Sequence, residues 1–470
     1  MTGAHQGTET AVRPAKTPSF CVAAAGSSSG KTTVTLGLLA ALKRRGLRVA
    51  PFKCGPDYID PGFHRAACGV PSRNLDTWMM GRGGVRETFA VSAGKADAAV
   101  VEGVMGLFDG AEPGKLPGST ADVAAALGIP VLLVIDAKGM AGTIAPIAKG
   151  LAEFDSGVEI IGVVANNVGS ARHAEILEAA LSAADAPPLL GYLRRDAELA
   201  VPERHLGLVS VTEHPLGLDV EKREAFLDRL ASAVEDCFDI DAILERSERP
   251  APIPVETRVP GLILSPGGGR GRVALALDEA FHFYYEDNLD ILRAAGWELV
   301  PFSPLNDTAL PDAIDWIYIG GGFPECFADH LERNAAMRSA IAEFAENGGA
   351  VYAECGGLMY LSESLTTIDG KKRAMCGAIP VATSMEHRLR SLGYREIRAE
   401  RELPFAKPGT VFRGHEFHWS SAEPAENASE LGRAPLAWRP AKGGEWVSAG
   451  FAAGNVSASY AHIHFATAEG

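Results

Sequence analysis

Phe20-Cys21-Val22-Ala23-Ala24-Ala25-Gly26-Ser27-Ser28-Ser29-Gly30-Lys31-Thr32-Thr33 is the stretch that decides the fold class. Its first six residues are apolar with no polar alternation, as in a strand buried on both faces of a parallel sheet. Five small residues follow, and an amphipathic run then predicts a helix over 31–45. A strand that passes through such a loop into a helix N-terminus turns a row of backbone N–H groups toward an anion. Gly26, Ser27, Ser28, Ser29 and Gly30 would cradle phosphate oxygens, and Lys31 would reach the terminal phosphates. Thr32 and Thr33 open the helix, with the Thr32 hydroxyl placed to hold Mg²⁺. The loop is a variant, because Ala25 stands where the first glycine of the motif is usual.

Outward from this loop the pattern repeats. Apolar runs at 48–52, 98–102, 131–136 and 160–166 alternate with helix-like runs at 119–127 and 171–183. That order implies an α/β fold with a mostly parallel sheet covered by helices on both faces. Ligands bind at the carboxyl ends of such strands. Asp57 and Asp60 follow the second strand, and Glu102 and Asp109 the third. Mg²⁺ takes a few carboxylates and fills its shell with water and phosphate oxygens. Thr32, Asp57 and Glu102 are therefore the metal candidates. The plainer reading of Asp57 and Asp60, as turn formers before Pro61, stays open.

A seam follows at 245–260, where four prolines and no apolar periodicity read as a linker. Alternation then restarts at 273–277, 298–302, 316–319 and 351–353, predicting a second domain of the same class. The four segments expected are a disordered tail over 1–18, an ATP-dependent domain over 19–244, the linker, and a thiol-bearing domain over 261–470. In that last segment Ala350-Val351-Tyr352-Ala353-Glu354-Cys355-Gly356-Gly357 sets a cysteine between an apolar strand and glycines. A nucleophile on a sharp strand-to-helix turn needs small neighbours, and the helix N-terminus favours the thiolate. Gly321, Gly322 and Gly356 offer backbone N–H groups for an oxyanion. A proton acceptor is still required. His462 and His464 share one side of an extended segment, and one of them should face Cys355.

Gly55-Pro56-Asp57-Tyr58-Ile59-Asp60-Pro61-Gly62-Phe63-His64, with Pro71-Ser72-Arg73-Asn74-Leu75-Asp76, resembles the substrate loop of the cobyrinate a,c-diamide synthase family. The resemblance implies a first domain similar to dethiobiotin synthetase and a second similar to class I-type glutamine amidotransferases. It implies that ATP phosphorylates the a and c acetate carboxylates of a corrinoid polycarboxylate, and that ammonia from glutamine then displaces phosphate. It assigns Tyr58, Ile59 and Asp60 to substrate, Asn166 and Asn167 to the nucleotide, and His462 to the catalytic histidine; Asp109, from its place after the third strand, is a further substrate candidate. The segment 202–208 also fits the family. One departure stands out: His-x-His replaces the usual His-x-Glu, so the third carboxylate of the triad is absent from its expected place, as in this branch of the family. Hydrogenobyrinate and nickel-sirohydrochlorin remain alternative substrates. A partition-type ATPase scaffold shares the phosphate loop but has no use for Cys355.

Bulk properties bound the rest. A net charge of −15 argues against nucleic acid as a partner. Seven cysteines without a Cys-x-x-Cys pair read as reduced thiols in the cytoplasm. No apolar run is long enough to span a bilayer, and the polar start of the chain lacks a signal-peptide core. The sequence is compatible with a homodimer without deciding it.

Overall fold

The computed structural model describes residues 16–112, 114, 116–196, 198–199, 220–267, 270–425, 428 and 431–469. The first unit runs β1 (Lys16–Ala24), α1 (Lys31–Arg44), β2 (Val49–Cys54), α2 (Ile59–Cys68), β3 (Arg73–Leu75), α3 (Thr77–Ala93), β4 (Ala98–Glu102), α4 (Thr120–Leu127) and β5 (Val131–Asp136). It continues through α5 (Ile144–Phe154), β6 (Ile160–Val168), α6 (Ala171–Ala183), β7 (Leu189–Arg194), α7 (Val220–Cys237), α8 (Ile240–Arg246) and β8 (Glu248–Pro250). Strand order is β3-β2-β4-β1-β5-β6-β7, all parallel. Order reverses beside β1, and the phosphate loop leaves the sheet there. Both faces are covered, which is why Phe20, Val22 and Ala24 are as buried as Cys21 and Ala23. Against one face α1 and α7 pack so closely that a Cβ on Gly37 would lie 2.6 Å from Val234.

The second unit comprises β9 (Gly271–Ala276), β10 (Phe281–Phe283), α9 (Glu286–Ala294), β11 (Trp297–Phe302), β12 (Trp316–Ile319), β13 (Gly321–Gly322), α10 (Ala328–Arg333), α11 (Ala335–Glu346), β14 (Ala350–Glu354) and α12 (Gly356–Leu361). Then come β15 (Ser364–Thr366), β16 (Lys372–Ala374), β17 (Val381–Met385), β18 (Ser391–Ala399), β19 (Val411–His418), β20 (Ser420–Pro424), β21 (Leu436–Pro440), β22 (Val447–Ala449), β23 (Phe451–Ala453), β24 (Val456–Ser459) and β25 (His462–Glu469). Its central sheet has the order β11-β9-β12-β14-β24-β23 and is parallel apart from β23. The expected α/β class is therefore present in both units. The sequence reading did not foresee the sheets β22-β21-β18-β19-β25, wholly antiparallel, and β16-β15-β17-β20, mostly so, which flank this core.

Two expected boundaries need correction. Lys16, Thr17 and Pro18, assigned to a disordered tail, belong to β1 and pair antiparallel with Pro250, Arg249 and Glu248. Those partners lie in the expected linker, so its first residues are strand. Thr17 is fully buried in that pairing, and ladder hydrogen bonds replace the apolar periodicity on which the linker reading relied.

Buried polar contacts join the units. Arg73 forks onto Asp287 and Asp290, and Thr88 donates to the other Asp287 oxygen at 3.0 Å. Tyr394 donates to Asp76 at 2.5 Å, while Asp76 also caps α3 through the N–H groups of Trp78 and Met79. Arg413 donates to the Trp78 carbonyl at 3.0 Å. Among the described residues no helix is long and apolar enough to cross a membrane.

Candidate active site

The phosphate loop needs two left-handed residues, Ser28 at φ 57° and Gly30 at φ 92°. A Cβ on Gly30 would sit 2.0 Å from the Asn166 amide nitrogen. Asn166 uses that nitrogen to donate to the Ser29 carbonyl at 3.1 Å, which ties the end of β6 to the loop. Lys31 curls back to donate to the carbonyls of Gly26 and Met105 at 3.0 and 2.6 Å. Burial, then the charge of Lys53, lowers the pKa of Lys31. Around it lies a cavity of about 550 Å³ lined by Ser27, Ser28, Gly30, Lys31, Thr32, Thr33, Asp57, Asp60, Glu102, Asn166 and Asn167, among others.

Glu102 is fully buried at the end of β4 and engages three side chains. One oxygen accepts from Thr32 at 2.7 Å and Lys53 at 3.0 Å; the other meets His64 at 2.7 Å. Lys53 also pairs with Asp60 at 2.8 Å. Burial alone would protonate Glu102, but Lys53 and His64 outweigh it and hold the carboxyl well below its usual range. Lys53, conversely, stays charged despite burial because Asp60 and Glu102 face it. These interlocked charges are mutually required, since an unpaired ion at this depth costs several kcal/mol.

In the second unit Cys355 joins β14 to α12 at φ 49°, ψ −102°, a conformation that costs a non-glycine residue roughly 1–3 kcal/mol. Its N–H donates to the Ser459 carbonyl at 2.7 Å, anchoring the elbow to β24. A Cβ on Gly356 would lie 3.1 Å from the Gly322 nitrogen, and one on Gly321 would lie 2.6 Å from the His462 ring. The three expected oxyanion glycines thus pack on one another beside the histidine. Burial opposes charge on His462, yet the Cys355 and Glu354 side chains outweigh it and raise its pKa from 6.5 to about 9.

A second cavity of about 520 Å³ is lined by Cys355 and His462 and, from the first unit, by Asp57, Tyr58, Ile59, Val104 and Met105. Asp57, Val104 and Met105 also line the phosphate-loop cavity. The two strand-end clefts therefore face each other and share a wall. Tyr58 crosses the seam: its ring stacks on Phe283 at 5.3 Å and lies 5.0 Å from the ring of His462.

Comparison with known proteins bears on this pairing of sites. Residues 20–209 match the CobQ/CobB/MinD/ParA nucleotide binding domain, and residues 272–470 match the CobB/CobQ-like glutamine amidotransferase domain. The cobyrinate a,c-diamide synthase of Syntrophotalea carbinolica is 46% identical, with 96% of each chain covered. Those of Dehalococcoides mccartyi strain 195 and Listeria monocytogenes strain F2365 are 42% and 43% identical; the match covers 96% of each chain for the former, and 94% of this chain and 95% of the relative for the latter. The chain belongs to the cobyrinate a,c-diamide synthase family.

Against that family assignment, the residues singled out from sequence divide unevenly. Asp57, Asp60, Glu102, Lys31 and the loop converge, and His462 reaches the thiol cavity. His464 does not. Two residues along a strand is roughly 7 Å, and His464 lies instead against Tyr285 and 3.6 Å from Asp287 at the seam. Asp109 lines neither cavity; it accepts from the Gly106 N–H at 2.8 Å and closes its own turn. Gly26 and Ser29 shape the loop from behind: Ser29 donates to the Gly26 carbonyl at 3.0 Å. Asn167 lines the cavity and donates to Asp136. The segment 202–208 lies outside the described residues. Sequence reasoning overlooked Lys53 and His64 as site members, although a lysine in the buried strand Val49–Cys54 was itself a signal of paired charge.

Proposed function

We propose that this protein uses ATP and glutamine to amidate the a and c acetate carboxylates of cobyrinic acid, giving the a,c-diamide. The observation that carries the reading is the shared wall of Asp57, Val104 and Met105 between the phosphate-loop cavity and the thiol cavity. Free ammonia is lost to water as ammonium, so a thiol that releases it is useful beside a waiting electrophile.

In the thiol cavity Cys355 sulfur attacks the glutamine amide carbon, and an S–C bond forms. Gly321, Gly322 and Gly356 N–H groups receive the oxyanion. His462 gives its proton to the nitrogen as the C–N bond breaks, releasing ammonia and a thioester. Water activated by His462 then hydrolyses the thioester to glutamate. In the other cavity Lys31 and the loop N–H groups hold the phosphates in line with the substrate carboxylate. Thr32 and Asp57 offer hard oxygen ligands for Mg²⁺, which supplies charge neutralisation at the transferring phosphoryl group. Glu102, occupied by Thr32, Lys53 and His64, orients the Thr32 hydroxyl from behind. Ammonia displaces phosphate from the acyl phosphate to complete the amide.

The test is incubation of the protein with cobyrinic acid, ATP, Mg²⁺ and glutamine, with mass spectrometry expected to show two added amides. Product from hydrogenobyrinate or nickel-sirohydrochlorin alone would move the assignment to that macrocycle.

The imidazolium of His462 sets a pH signature. Glutamine-driven turnover should hold through neutral pH and fall as pH rises through about 9, where His462 loses its proton. Ammonium-driven turnover should rise over the same interval as free ammonia increases. The sign for stability is the same: a raised histidine contributes fully below its unfolded pKa near 6.5, and the contribution is lost as pH rises through the folded value. A glutamine-driven profile still rising above that value would contradict the assignment of His462.

A further inference from the structure

The third carboxylate usual in class I-type glutamine amidotransferases, two residues after the histidine, is here His464, which is turned to the Asp287 seam. Nothing from that strand holds the ring of His462. We infer that Glu354, the residue immediately before the nucleophile, takes over the role of positioning His462. Glu354 ends β14 with 1% of its surface exposed, and one of its oxygens lies 3.7 Å from His462 Nδ1. Three donors fix the carboxylate: Tyr318 hydroxyl at 3.2 Å, Tyr352 hydroxyl at 3.0 Å and the Ile463 N–H at 3.1 Å. The last of these is the backbone of the residue next to His462, so carboxylate and ring are held in register by one strand. His462 Nδ1 is buried and has no hydrogen-bond partner within reach. That leaves Glu354 as the anion it faces.

Such a carboxylate has two consequences for the ring. It selects the tautomer or cation that carries a proton on Nδ1, leaving Nε2 for the sulfur. It also supports the imidazolium against burial, in company with the Cys355 sulfur. The other titratable groups around the ring are Tyr58, which is neutral, His415, 5.0 Å away and stacked, and His418, which burial and then, among other charges, that of His462 push down. Burial and the charge of His462 push His415 down, so it is neutral at physiological pH and does not compete for Glu354. The sequence signal was present: a glutamate closing the apolar run Ala350–Ala353 needs buried donors, and a polar side chain there is costly without a task.

This inference rests on the reading that Cys355 and His462 release ammonia from glutamine. Glu354→Gln keeps the shape and removes the charge. It should lower glutamine-driven kcat by about tenfold to a hundredfold, with the glutamine KM within about threefold and ammonium-driven turnover within about twofold. The alkaline limb of the glutamine-driven profile should move to lower pH. Glu354→Asp should restore that limb, and Glu354→Gln should add nothing in a His462→Ala background. An unmoved limb, or ammonium-driven turnover falling in parallel, would overturn the role of Glu354. If His462→Ala itself spares glutamine use, the parent reading fails instead.

Discussion

Cys355→Ala should lower glutamine-driven product by at least about a thousandfold and leave ammonium-driven product within about twofold of the parent protein. The asymmetry follows from where the sulfur sits. Cys355 stands at an elbow whose backbone is held by the Ser459 carbonyl rather than by the side chain, and alanine meets the φ of 49° no worse than cysteine does. The elbow therefore persists without its nucleophile. Ammonia supplied from solution enters the shared cavity and reaches the Asp57 wall without the thiol. Chromatography with mass detection, run with each nitrogen source in turn, reads both arms. Equal loss with glutamine and ammonium would mean that the thiol acts on the second half-reaction or on folding, and the division of labour between the units would be wrong.

Lys31→Ala should abolish product from both nitrogen sources, by roughly a thousandfold or more. Its ammonium bonds to the Gly26 and Met105 carbonyls, which borders the cavity on two sides, and a nucleotide phosphate is the ligand strong enough to draw it away. Lys53 does not substitute, because Asp60 and Glu102 already hold it. Lys31 does not itself line the Cys355 pocket, so alkylation of Cys355 by iodoacetamide should keep the parent rate and serve as the folding control. Persistence of ammonium-driven product within about tenfold of the parent would remove Lys31 from phosphoryl transfer.

How far the chain could be read from its residues depended on what stabilises each element. The central strands were legible because burial on both faces leaves an uninterrupted apolar run, as in Phe20–Ala24 and Val131–Ile135. β3 was not, since Arg73, Asn74 and Leu75 owe their extension to pairing with Phe52–Cys54 and to the Asp287 fork across the seam. β18 and β19 also escaped notice. Their residues mix Arg395, Glu416 and Arg413 with Phe412, and cross-strand pairing over eight positions, not periodicity, holds them. Among site residues, the phosphate loop and the elbow carried local signatures. The partnership of Glu354 with His462 joins positions more than a hundred residues apart and could be seen only once β14 was paired with β24, which leads directly into β25. The choice between His462 and His464 likewise turned on distance along a strand, which alternation does not encode.

The short pairing of Lys16–Pro18 with Glu248–Pro250 has an evolutionary reading. It sets the start of β1, the central strand of the first sheet, beside the segment that leaves the unit, and among the described residues that segment passes to the other unit through positions that line neither the phosphate-loop cavity nor the thiol cavity. A block with adjacent ends can be inherited, duplicated or joined to a new neighbour without rethreading its sheet. Changes that alter how two such blocks fit together would fall on the docking face, where Arg73, Asp76 and Tyr58 meet their partners, and leave each sheet's own thread intact.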